Sequence, residues 1–128
     1  MKHLAIFVGR AIEEILAGNK TVEGRLTNAK IPPYMKVAKD DEILLKQSGG
    51  KIIGRVMADN VLYYDNLTPE AVGSLRKEYG EEMMVGDEFW QKKAKARLAT
   101  IIFLKKPQRF LAPLKDKKKD RRPWVILS

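Results

Sequence analysis

The chain has 128 residues, enough for one compact domain with its own hydrophobic core and short for two. It carries a formal charge of +9, is 45% hydrophobic, and contains no cysteine and a single histidine. Disulfides, thiolate catalysis and cysteine-ligated zinc are thereby excluded, no cofactor or metal is expected, and a Ser-His-Asp arrangement has only His3 to draw on. No run approaches the roughly 18 apolar residues of a membrane span. The start, Met1 to Leu4 running into Gly9-Arg10, lacks the form of a signal peptide. A cytoplasmic location without a membrane partner is the default expectation.

Leu4 to Val8 is a short apolar run and reads as a first strand. In the segment from Arg10 to Gly18, Ile12, Ile15 and Leu16 recur at helical spacing, which predicts a short amphipathic helix ended by Gly18 or Asn19 in the left-handed conformation. From Thr21 to Leu26 the pattern alternates, with Thr21, Glu23 and Arg25 on one face and Val22, Gly24 and Leu26 on the other: a strand with a polar and an apolar side. Ile31-Pro32-Pro33-Tyr34 breaks regular structure. Glu42 to Lys46 reads as a strand, Ser48-Gly49-Gly50-Lys51 as a tight turn with positive φ at both glycines, and Ile52 to about Tyr64 as the returning strand. Gly54 within it marks a bulge or a close backbone approach.

Thr68-Pro69-Glu70 is a helix start: a hydroxyl cap, proline at the first helical position, then an acid in the first turn. Val72, Leu75 and Tyr79 form its apolar stripe and Gly80 is its expected end. Asp87 is a candidate cap for a second short helix whose aromatics, Phe89 and Trp90, read as core. Ala99 to Leu104 is a further apolar strand, punctuated by Pro107, and Pro123 to Leu127 a closing strand. Several strands with few helices, and no regular strand–helix alternation, favour a small mixed barrel of the α+β class over a layered parallel fold. The expected organisation is one domain over 1–128 with a basic extension from about 105 to the end.

Two clusters carry chemistry. The first is Lys20, Glu23 and Arg25, the latter two about 7 Å apart on one strand face. Arg25 offers a planar donor fork and Lys20 a point charge, both suited to phosphate, while Glu23 accepts from an amine or holds Arg25. Gly24 lets a ligand or another backbone approach. The bland alternative is a pair of solvated neighbours worth at most about 1 kcal/mol. The second cluster runs from Lys105 to Arg122 and includes Lys117, Lys118, Lys119, Arg121 and Arg122, a positive field that attracts a polyanion. Trp124 directly after it, with Tyr34 and Tyr63 elsewhere, offers aromatic faces on which bases stack, although each also suits a core.

The stretch Ile15-Leu16-Ala17-Gly18-Asn19-Lys20-Thr21-Val22-Glu23-Gly24-Arg25 resembles the signature of the ASCH domain family, a Gly-x-Lys-x-x-Glu-x-Arg pattern following a short helix. Lys39-Asp40-Asp41-Glu42-Ile43 resembles the family's Gly-Asp turn, with Asp40 where glycine is usual. The resemblance implies a PUA-like mixed β-barrel with short helices around it. It also implies a cleft binding RNA, a nucleotide or a modified nucleoside near Lys20, Glu23 and Arg25; Tyr34, Trp124 and the basic run are the further contacts that residue chemistry suggests. Some relatives are acetylcytidine amidohydrolases and others ribonucleases, so a small hydrolase using Lys20 and Glu23 is the alternative. The amidohydrolase threonine position is held here by Glu23.

Overall fold

The computed structural model describes residues 1–116 and 120–127. Lys117, Lys118 and Lys119, named above as polyanion contacts, lie outside the described residues. In chain order the elements are β1 (Lys2–Phe7), α1 (Ala11–Leu16), β2 (Val22–Thr27), β3 (Glu42–Gln47), β4 (Ile52–Tyr64), α2 (Pro69–Met83), α3 (Asp87–Lys92), β5 (Leu98–Leu114) and β6 (Trp124–Ile126). The six strands form one sheet in the order β2-β5-β4-β3-β1-β6, curled into a half-barrel with the three helices around it. β1 and β3 pair in parallel and the other pairs are antiparallel. No helix among the described residues is long and apolar enough to cross a membrane.

Local chemistry accounts for most boundaries. Ile12 and Ile15 bury the inner face of α1, and Gly18 beyond it takes φ +82°. The hydroxyl of Thr68 accepts the Ala71 N–H at 3.2 Å, and Pro69 opens α2 where a missing N–H does no harm. That helix continues past Gly80 to Met83, because Gly80 lies against the Trp90 ring and the left-handed turn falls on Met84, φ +53°. Gly86, not Asp87, occupies the cap position of α3. Only Gly49 of the glycine pair has positive φ. Pro107 does not end its strand but lies inside β5, where Lys106 at φ +52° and a register shift opposite Arg55–Met57 make a bulge. A bulge is where a strand tolerates a residue without an N–H.

The sheet is buried on both faces along most of β2 and the first part of β5, 98–102. On the barrel side Ile102 packs with Phe7, Ile43, Leu45 and Trp124. On the other side Val22, Leu26 and Ile101 pack beneath α2 and α3 with Leu75, Met83 and Trp90. Each such side chain, fully removed from water, contributes about 1.5–3 kcal/mol. The apolar side of β2 is therefore covered by helices, and strand alternation turns Glu23 and Arg25 toward the barrel.

Candidate functional site

The turn after α1 delivers Lys20 to the start of β2, where it is only 3% exposed. Its ammonium donates to a Glu23 carboxylate oxygen at 3.0 Å and to the backbone carbonyl of Met83 at the end of α2. A cation at a helix C-terminus also meets the negative end of the helix dipole. Glu23, 8% exposed, binds Lys20 through one oxygen and the Nε of Arg25 through the other at 2.5 Å. The two terminal nitrogens of Arg25 donate to the carbonyls of Ile6, at 3.0 Å, and Pro123, at 3.3 Å. Its guanidinium carbon lies 5.1 Å from the centre of the Phe7 ring and 5.2 Å from that of Trp124.

This trio is not a pair of solvated neighbours. Burial opposes the charge on Glu23, but Arg25 and Lys20, acting by charge and by hydrogen bonds, outweigh it and hold the carboxyl below its ordinary value of 4.5. Gly24 lines the same cavity as the trio and also serves packing: a Cβ there would stand 2.3 Å from the Met83 methyl.

The trio floors a cavity of about 420 Å³, within the usual range for ligand sites. Its walls come from Phe7 and Val8 at the end of β1, Arg10 before α1, Val85 between the helices, and Phe89 and Lys93 of the α3 segment. The sequence reading missed these six. One signal was present: Phe89 and Lys93 stand four apart on a helical segment and so share a face, while Trp90 takes the core, 6% exposed.

The other predicted contacts lie apart from the trio's cavity or beneath it. Trp124 is 2% exposed; its indole N–H donates to His3 Nδ1 at 3.0 Å and its ring supports Arg25. Because an indole N–H only donates, that His3 nitrogen must accept, and Nε2 carries the proton shared with Asp41 at 2.9 Å. His3 is thus a fully buried core residue. Tyr34 packs edge-on against Tyr63 at 5.8 Å and lines a separate hollow with Tyr64 and Asp65. Arg121 lines another hollow with Lys46, Asp116 and Asp120, and this one shares Ile6 with the trio's cavity. Within the basic run, Lys105 pairs with Asp40, Arg109 with Glu13 at 2.5 Å and Arg122 with Asp120 at 2.6 Å.

No family model matches the sequence, and no curated protein does. Solved structures do share its fold. The ASCH protein of Zymomonas mobilis superposes with a TM-score of 0.75 over 99% of this chain and 87% of that one, at 17% identity. A point variant of the same protein gives the same score and identity over 90% of its chain. Hypothetical protein PH0355 follows at a TM-score of 0.57 and 23% identity, covering 84% of this chain and 99% of that one. The half-barrel that carries Lys20, Glu23 and Arg25 has the α+β fold of these ASCH structures.

Proposed function

We propose that this chain is an ASCH-type RNA-binding module that takes one nucleotide or modified nucleoside into the cavity above Lys20, Glu23 and Arg25. The observation carrying this reading is a concave site that combines apolar and aromatic walls, carrying the cations Arg10 and Lys93, with a floor of paired charges. The faces of Phe89 and Val85 suit an unstacked base, as single-stranded recognition requires. Four cations line the cavity against two carboxylates, a balance that favours an anion. Ile6 borders both this cavity and the hollow of Arg121, so a strand leaving one meets the cations of the other. The ASCH likeness of fold and of the Gly18-Lys20-Glu23-Arg25 pattern supports the same reading.

Binding is favoured over the hydrolytic alternative because Lys20 is engaged by Glu23 and by the Met83 carbonyl at almost complete burial. Those bonds hold its ammonium on partners within the protein, and attack on a substrate would have to break them.

The test is backbone amide NMR during titration with single-stranded RNA oligonucleotides and ribonucleoside monophosphates. Shifts are expected at Val8, Lys20, Val85 and Phe89, and Phe89→Ala should weaken binding about tenfold, the loss of one stacking contact. Shifts confined to other surfaces, or none, overturn the reading. Acetate released from acetylcytidine by the wild type and not by Lys20→Ala would establish the hydrolase instead.

A further inference from the structure

We infer that Arg10, just before α1, and Lys93, just after α3, which line the cavity from two segments of the chain, hold the ligand's phosphate, and that the Lys20–Glu23–Arg25 floor does not. This rests on the nucleotide-binding reading and assigns its anion contact. The floor cations are already committed. Lys20 binds a carboxylate and a carbonyl, and Arg25 a carboxylate and two carbonyls. Pulling either toward a phosphate would leave Glu23 buried with one partner fewer, a costly exchange.

The wall cations differ. Lys93 closes α3, is half-buried on the cavity, and makes no side-chain ion pair among the described residues. Its neighbours on the helices are paired: Lys92 with Glu88, and Arg76 with Asp87. Arg10, its side chain 81% exposed, has only a loose 3.8 Å contact with Glu14. Both are long, carry donors, and reach the cavity from different walls. A ligand with its base against Phe89 and Val85 would present its phosphate between them. Glu14, on the same wall, competes for Arg10 and repels that phosphate.

The four ribonucleosides and their 5′- and 3′-monophosphates would be titrated calorimetrically into wild type, Arg10→Gln, Lys93→Gln and Glu14→Gln. The wild type should bind a monophosphate more tightly than its nucleoside. Each cation variant should weaken the monophosphate about tenfold, one charge-assisted contact, and so narrow the gap between monophosphate and nucleoside affinity by the same factor. Glu14→Gln should tighten the monophosphate severalfold. All three substituted positions are exposed or half-buried, and thermal melting checks that each variant is folded. Equal affinity for nucleoside and monophosphate, or discrimination that survives both cation variants, overturns the clamp and leaves the cavity reading standing. No binding of either ligand class by wild type overturns both.

Discussion

At the residue scale, Glu23 sets the electrostatics of the site. It stands between two cations that would otherwise face one another in a buried space. Glu23→Gln keeps the shape but removes the charge, and breaking a buried pair in this way typically costs about 3–5 kcal/mol. Urea unfolding should show that loss. The acid profile should change with it. Folding lowers the Glu23 pKa, so its contribution is complete above pH 4.5 and is lost as the pH falls below that value. Asp41 behaves in the same sense: burial opposes its charge, while His3 and the Ala38 N–H hold it below 3.8. The wild type should therefore lose stability steeply in acid and Glu23→Gln less steeply. A variant as stable as wild type with an unchanged acid slope would make Glu23 a bystander. Asp40 shows how a residue departs from the expected type without departing from its geometry. It occupies the usual glycine position of the turn before β3 and still takes φ +72°, a conformation that aspartate tolerates better than most side chains.

At the element scale, two strand glycines distinguish a forgiving contact from an unforgiving one. A Cβ on Gly24 would meet the end of the Met83 side chain, which has torsions with which to move. A Cβ on Gly54 would stand 2.6 Å from the Gln108 carbonyl oxygen, part of the β4–β5 ladder. Both replacements by alanine overpack, at a typical cost of about 1–3 kcal/mol. Gly54→Ala should fall at or above the top of that range, since backbone must shift, and Gly24→Ala near the bottom. Thermal denaturation of the two variants checks the order; a Gly54→Ala protein as stable as Gly24→Ala would contradict it. Gly54 was readable as a close approach from its place in an apolar strand. The cause at Gly24 was not, because Met83 is 59 residues away and meets it only once α2 docks.

At the scale of the whole molecule, the half-barrel is tied across its open side by a side chain. β2 and β6 are the two ends of the strand order. Arg25 on β2 reaches Ile6 on β1 and Pro123 just before β6. Hydrogen bonds from a charged donor contribute about 1.5–3 kcal/mol each. Arg25→Met should therefore raise amide hydrogen exchange in β6 by about tenfold or more, while the central β4–β5 ladder keeps its protection. Unchanged exchange at Val125 and Ile126 would show that β6 is held without this latch. Charge is also arranged on this scale. The basic run that dominates the +9 total is met by Asp40 and Glu13 from distant parts of the chain and by Asp120 within the run itself. The field reaching a polyanion is therefore weaker than the linear count suggests.

The sequence by itself determined what depends on near neighbours. Helix caps at Thr68 and Pro69, the hairpin around Gly49, the period-2 strands and the α+β class all follow from backbone sterics and side-chain spacing, which act over a few residues. It also placed Lys20, Glu23 and Arg25 together, because they lie within one turn and one strand. Only the tertiary structure decided that this trio is buried and mutually satisfied, that Trp124 supports Arg25 from within the core, and that Phe89, Arg10 and Lys93 share its cavity. Burial is a property of what covers a residue, and here the covering elements, α2, α3 and β6, come from the far half of the chain.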